Sequence, residues 1–529
     1  MLSMIFKFIS GFFLENKNSY HEIEIKMPSN YQEPALKKEI ARHLKIKEFH
    51  YHILKKSLDA RNKKNIFWLL RLAVFSPELP FKLPPLEKKL EIPYQKRKKR
   101  VVVVGMGPSG FFAALVLAQA GFEVKVLEQG KAVEERKNDI ENFEKTGILN
   151  PLSNYSFGEG GAGAFSDGKL TSRNKHISLE REYILKTFIE AGAPPEIGYL
   201  AYPHIGSDIL YQILPVLRKQ LSLYQAEILF QSKVIGFEKK NNRVDSIQTD
   251  SKEWEADDFI FAPGHSSYHT YRLFLSHKIP FIVKPSAIGV RVEHPQKTVN
   301  YSQWGKESLP GVKAAEYKLT FQEKNSLPVY SFCMCPGGKI IPAASETGQS
   351  IVNGVSNYQR NSSFANSAVV AGFHLKDILN QDIKSVDALL WLIGLENKFF
   401  DLKKSYEIPA AKIEDFIKKK VSSALLASSY PFSLFPYDFD QLFPEVIAES
   451  LRKSMIQFSS KIRGFEKGQM MGLESKTSSL IQAVRNSEGL IEGFENLYIT
   501  GEGSGFSGGI ISSAADGIKA AIGIIQKYS

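Results

Sequence analysis

A chain of 529 residues is too long for one hydrophobic core and calls for two or three domains. Its 43% hydrophobic and 23% charged residues are ordinary globular values, and the net charge of +12 bears on solubility and steering before it bears on nucleic acid or anionic membrane. Two cysteines exclude a disulfide framework and point to a reducing compartment, by default the cytoplasm.

Residues 1–14 are rich in Leu, Ile and Phe but contain Lys7; they are too short to span a bilayer, and no small-residue cleavage site follows. They read as a short packing or frayed segment, or as a membrane-surface contact, and no later stretch is long enough to cross a membrane. Residues 20–96 form a small α/β appendix: a strand over 21–25, a helix over 34–44, strands over 48–55 and 66–74, then a proline-bearing linker over 77–93. The basic run 96–100 reads as solvated linker or as a binding patch.

Val101 to Val104 form an unbroken apolar strand that runs into Gly105, Met106, Gly107, Pro108, Ser109 and Gly110. A helix over 111–120 and a strand over 123–127 ending in Glu128 complete the dinucleotide-binding βαβ pattern. Gly105 permits the tight turn, Gly107 lets backbone approach a pyrophosphate, and Gly110 lets helix pack on strand. The N–H groups at the helix start, Pro108 and Ser109 marking its entry, receive phosphate charge. Glu128 can accept from ribose hydroxyls and would repel a 2′-phosphate, so FAD or NAD fits better than NADP. Arg136 either neutralises a phosphate or is a solvated helix charge.

A glycine-rich loop over 157–169 carries Gly160, Gly161 and Gly163, then Ser166, Asp167 and Lys169; it is a mobile surface loop or a segment at the cofactor. Strands over 226–230, 233–238 (whose Val234 is a candidate cofactor contact) and 257–262 follow, the last closing in Gly264 near the cofactor. From about 285 the alternation over 287–292 and 329–332 predicts an antiparallel sheet, followed by helices through the 370s to 420s and over 443–458. Residues 496–505 repeat the opening logic of strand then glycine turn, and Gly508, Gly509 and Ile510 lead into a final helix over 511–527. The chain therefore returns to complete one site. The expected architecture is α/β: a Rossmann-type FAD-binding domain (97–285 and 461–529) split by a mixed α+β substrate domain (286–460), with the small N-terminal α/β appendix.

These motifs, together with the turn over 332–338, resemble the FAD-dependent dehydrogenases, and more narrowly the bacterial group of uncharacterised NAD/FAD-utilising dehydrogenases. The resemblance covers nearly the whole chain, including a motif at 55–61. It implies a glutathione-reductase-type FAD fold in which Gly105, Gly107, Gly110 and Glu128 hold the ADP half. Gly501 and Glu502 match the place where related flavoproteins use Gly-Asp for the ribityl and phosphate region, with Glu one methylene longer. Gly509 and Ile510 would offer N–H groups to the flavin pyrimidine edge, where a helix dipole stabilises the charge of reduction. The Gly160-Gly161 loop resembles the segment beside isoalloxazine or pyrophosphate.

No second dinucleotide motif follows a strand, so NAD(P)H, if it reduces the flavin, does so as a transient visitor to the substrate cleft. Cys333 and Cys335 form a redox pair, a nucleophile or a structural turn; they lack the two-residue spacing of thiol–disulfide flavoenzymes. Lys169 is a further candidate in the cleft, and His265 and His294 are proton donors or packed residues. Metal-binding, triad and Walker-type motifs are not recognisable. The leading expectation is an FAD-dependent oxidoreductase acting on a small-molecule substrate, with no stable nucleic-acid partner and an oligomeric state that the sequence leaves open. An RNA-associated flavoprotein resembling tRNA-modifying FAD proteins, or a non-catalytic FAD-binding protein, is the alternative.

Overall fold

The protein's structure, a computed structural model, describes residues 19–172, 174 and 176–529, so the expectation for residues 1–14 lies outside the described residues. In β1 (Ser19–Pro28), Ile23, Ile25 and Met27 point inward while Glu24 and Lys26 stay wet. α1 (Glu33–Leu44) lays Leu36 and Ile40 on that face. β2 (His50–Asp59) and β3 (Phe67–Ser76) complete an antiparallel sheet ordered β1-β3-β2, with β3, buried from Leu72 to Ser76, in the middle. The unit docks on the rest of the chain where the Lys56 N–H donates to Tyr199 O (2.8 Å) and the Ala201 N–H to Lys56 O (2.9 Å).

β4 (Arg100–Val104) is followed by α2 (Pro108–Gln119), which buries every residue from Ser109 to Ala118 and is enclosed on all sides. The helix starts three residues before the expected Phe111, because proline at the first position surrenders an N–H that has no intrahelical partner there. β5 (Glu123–Leu127), α3 (Val133–Thr146), α4 (Ser178–Glu190), α5 (Gly206–Leu223) and β6 (Glu227–Leu229) follow. An antiparallel excursion comes next: β7 (Val234–Lys240), β8 (Arg243–Thr249) and β9 (Glu253–Glu255), of which the sequence pattern announces only the first. β10 (Asp258–Phe261) and α6 (Tyr268–Ser276) close this part.

β11 (Phe281–Val283) leads to β12 (Ser286–Pro295), α7 (Gln296–Trp304), β13 (Thr320–Phe321), β14 (Val329–Cys335), β15 (Gly338–Pro342), β16 (Val352–Ser356) and β17 (Phe364–Phe373). The helices expected through the 370s to 420s are α8 (Leu375–Leu379), α9 (Ser385–Asp401) and α10 (Ile413–Ile417), interrupted by β18 (Ile408–Lys412). β19 (Leu434–Pro436) and α11 (Glu445–Lys461) precede β20 (Gln469–Glu474). The resulting sheet is ordered β13-β14-β17-β12-β20-β18-β19. It runs past the expected boundary at 460, because β20 is buried along its whole length between β12 and β18.

β21 (Ile481–Ala483) pairs with β11, β22 (Leu497–Ile499) lies parallel to β10, and α12 (Ile510–Lys527) packs along α2. The parallel sheet thus reads β22-β10-β4-β5-β6, its outermost strand delivered only after the antiparallel sheet has been built. Among the described residues, no helix is long and apolar enough to cross a membrane.

Candidate functional site

The turn between β4 and α2 is shaped by what its glycines avoid. Gly105 sits at φ +98°, and a Cβ there would fall on the carbonyl oxygen of Ala262. A Cβ on Gly110 would overlap the Gly105 carbonyl oxygen, so helix and turn meet backbone to backbone. The return turn lands on the same spot. Ser109 Oγ donates to Thr500 Oγ1 at 2.8 Å, a Cβ on Gly501 would lie 2.8 Å from the Ser109 Cβ, and one on Gly517 would overlap the Ser109 carbonyl. The Gly501 N–H is held by Asp516 Oδ2 at 2.8 Å, and Asp516 in turn by Arg485 at 2.9 and 3.0 Å.

The Gly160 loop joins them. The Gly160 N–H donates to Met106 O (2.9 Å), a Cβ on Gly161 would stand 3.0 Å from the Gly107 Cα, and one on Gly163 3.2 Å from Ile510 Cγ1. The loop is a packed bridge between the two turns, which corrects the mobile-loop alternative. Arg136 corrects both of its expected places. It is fully buried, and its guanidinium donates to the carbonyls of Asn154 (2.8 Å), Tyr155 (3.0 Å) and Glu159 (2.7 Å), so it staples this loop rather than meeting solvent or a phosphate.

Glu128 is buried at the end of β5 and accepts from the N–H groups of Met106 (2.8 Å), Gly130 (2.8 Å) and Gly158 (3.0 Å). Three amides on a two-oxygen acceptor fix it beside the turn and leave lone-pair capacity for a hydroxyl. Val234 packs its side chain into the core. Glu502 uses its extra methylene: Oε2 meets His265 Nδ1 at 2.7 Å and Oε1 accepts from the Gly509 N–H at 2.7 Å. That bond takes Gly509 out of the set of free donors, and the N–H groups of Ile510 and the following residue, at the start of α12, carry that expectation instead. Burial alone would raise the Glu502 carboxyl, but His265 reverses this and holds it below the usual range. His265 Nε2 has no hydrogen-bond partner. His294 is not in this group: burial lowers it to about 4, and its Nε2–H donates to Phe465 O at 2.8 Å.

Whether a dinucleotide fits can be asked of the glycines that the protein itself does not require. A Cβ on Gly107, at φ −75°, would come no nearer than 3.7 Å to anything, and one on Gly508 would meet nothing within 4 Å; Gly264 also borders open space, though its φ of +70° favours glycine for the backbone's sake. These backbones face space that a side chain would fill, beside two helix N-termini whose first N–H groups have no intrahelical partner. The residues fit a pyrophosphate-bearing group.

Beyond the turns, loop and antiparallel sheet meet at charged groups. Lys169 Nζ donates to the Asp167 carboxylate and to the carbonyl of Met334. Asp167 is also held by Ser356 and by Arg360 (2.8 Å). Burial would raise Asp167, but Lys169 and Arg360 outweigh it and hold the carboxyl below its ordinary range. Arg291, wholly buried in β12, pairs with Glu474 of β20 (2.7 Å) and donates to the carbonyl of Cys333 (2.8 Å). Cys333 itself adopts φ +41°, where the register of β14 against β17 breaks. Its side chain is reached by solvent, yet the surrounding groups bury it enough to push the thiol up to about 12. The sequence reading missed Arg291, Arg360 and Glu474. A charge inside the apolar alternation of 287–292 was the available signal for Arg291; its partner, 183 positions away, has none.

A family model described as FAD-dependent protein, C-terminal domain-like, matches residues 285–477, and one for a domain of unknown function matches residues 19–75. An uncharacterized protein of Clostridium beijerinckii (strain ATCC 51743 / NCIMB 8052) is 37% identical over 502 residues, covering 90% of this chain and 92% of that protein. Among solved structures, CtdE in complex with FAD is 12% identical with a TM-score of 0.33, over 81% of this chain and 85% of that one. Glycine oxidase from Bacillus cereus ATCC 14579 (12%, TM-score 0.33, 82% and 96%) and L-proline dehydrogenase from P. horikoshii (12%, TM-score 0.34, 81% and 94%) are similar at the same level. The chain belongs to one family with the Clostridium beijerinckii protein, its residues 285–477 match the FAD-dependent C-terminal domain family, and FAD is its cofactor.

Proposed function

We propose that this protein is an FAD-dependent oxidoreductase that passes a hydride between a small organic substrate and the flavin. The reading is carried by the convergence of three backbone segments, the turns at 105–110 and 501–509 and the loop at 158–163, around space bordered by Gly107, Gly264 and Gly508. In this reading the parallel sheet with α2 and α12 is a Rossmann-type FAD domain of glutathione-reductase type, and the seven-stranded sheet inserted in it is the substrate domain, in a cytoplasmic enzyme.

FAD supplies the two-electron chemistry; the chain supplies binding, orientation and electrostatics. The Gly107 backbone and the α2 N-terminus take the pyrophosphate, and the Glu128 carboxylate, already oriented by three amides, takes ribose hydroxyls. The α12 N-terminus places its dipole where negative charge builds on reduction. Glu502 holds His265 and the Gly509 turn in one geometry. Lys169, with one of its three N–H groups unspent on Asp167 and Met334, faces the cleft between the units. NAD(P)H is a candidate transient reductant entering by that cleft.

The purified protein is expected to be yellow, with about one FAD per chain, and to bleach with dithionite; a panel of donors including NADH and NADPH then reports the reductant. A protein that is colourless as purified and cannot be reconstituted with FAD overturns the proposal.

A further inference from the structure

The dithiol of β14 has no part in the FAD-binding reading above. Residues two apart in a strand face the same way, and here the strand bends between them: Cys333 lies at φ +41° in a break of register. The bend turns the Cys335 Sγ–H back onto the Cys333 carbonyl at 3.3 Å, leaving one sulfur on the solvent side and the other buried behind it. A non-glycine residue holds such a backbone only when its surroundings insist on it. Two cations do so. Arg291, locked to Glu474, donates to the Cys333 carbonyl at 2.8 Å and lies 3.9 Å from Cys335 Sγ; Lys169 donates to the carbonyl of Met334, the residue between the two thiols. Lys169 also reaches Asp167, at the end of the loop that bridges the two glycine turns, so the dithiol is tied to the cofactor side of the cleft through a single side chain.

We propose that Cys333 and Cys335 are a redox pair that exchanges two electrons with the FAD. In one direction two S–H bonds break, one S–S bond forms between the two sulfurs, and the two electrons and two protons convert FAD to FADH2. In the other, FADH2 returns them and the disulfide opens to two thiols. Burial raises both thiols, and the charges of Lys169 and Arg291 oppose that rise without reversing it. Cys333, on the open side, is the sulfur that an incoming thiol or disulfide meets first. The proposal rests on the flavin reading above, but it makes a separate count.

Anaerobic titration of the air-oxidised holoprotein with dithionite should consume four electrons per FAD, and Cys333→Ser and Cys335→Ala should each consume two. Alkylation under denaturing conditions followed by mass spectrometry, which needs no turnover, should find neither cysteine modified in the oxidised wild type and both modified after reduction. Bleaching that consumes only two electrons in the wild type, with both cysteines already alkylated in the oxidised protein, overturns the redox pair and leaves the flavin reading standing. A protein that binds no FAD overturns both.

Discussion

Gly107 and Gly110 stand three positions apart in one turn, and a methyl group on each would do different damage. On Gly110 it meets the Gly105 carbonyl, which belongs to backbone and cannot step aside. Gly110→Ala is therefore expected to cost about 1–3 kcal/mol of stability or more, as overpacking does. On Gly107 the methyl enters space left open by the protein, with the nearest atom 3.7 Å away, and the φ of −75° suits any residue. Gly107→Ala should hold the apoprotein's stability within about 0.5 kcal/mol and weaken FAD binding at least about tenfold, or about 1.4 kcal/mol. Urea melts of both apoproteins, with FAD titrated by fluorescence quenching, separate the two. Equal FAD affinity in Gly107→Ala and wild type would contradict the placement of the cofactor. Part of this turn could be read from sequence because what Gly110 must avoid, the Gly105 carbonyl, lies five residues back in the same motif; the Ala262 carbonyl that Gly105 must avoid does not. Arg136 is the counterexample. Its guanidinium donates to carbonyls 18 to 23 residues away, and nothing near it in the chain announces that.

At the scale of elements, α12 reaches the cofactor turn through Asp516, whose carboxylate takes both the Gly501 N–H and the buried guanidinium of Arg485. Removing one partner of such a pair strands the other charge, at about 3–5 kcal/mol, whereas removing both can be far milder. Asp516→Ala should therefore be strongly destabilised and should lose FAD affinity, since Gly501 loses its acceptor. The double variant Arg485→Met/Asp516→Ala should recover part of the stability in urea denaturation while FAD affinity stays low. If the double variant is no more stable than Asp516→Ala, stranded charge is not the cause. The elements themselves were unevenly legible. β4, α2 and β5 declare themselves because apolar run, glycine turn and second apolar run are contiguous. β8 carries Asp245 and Ser246 inside its alternation, and its stability comes from pairing with β7 and β9. β20 is a short apolar stretch that β12 and β18 recruit into the antiparallel sheet, and only those distant partners say to which unit it belongs.

Across the whole molecule, the return of the chain was legible because residues 496–505 repeat the strand-then-glycine logic of the opening; the joint between the two sheets was not, because it is built from scattered polar groups. His204 belongs to that joint. Its Nε2–H donates to Tyr358 O across the units at 3.0 Å, close to Asp167 and Arg360. Burial, with Arg360 adding to it, lowers His204 to about 4, and burial lowers His294 in β12 to about 4 as well. An unfolded chain binds those protons near pH 6.5. Between pH 6.5 and 4 the unfolded state therefore holds protons that the folded state refuses, and stability falls as the pH falls, by up to about 1.4 kcal/mol per pH unit for each group. Above pH 6.5 the contribution is complete. The Asp167 carboxyl, held below its ordinary value, adds a loss of the same sign only at lower pH. His294→Gln, whose amide can still donate towards Phe465 O, should lower the slope of unfolding free energy between pH 6.5 and 4, by up to about 1.4 kcal/mol per pH unit. Urea denaturation at half-unit steps checks it. Parallel wild-type and variant profiles would mean that His294 takes up its proton in the folded state at an ordinary pH, and that acid loosens this protein elsewhere.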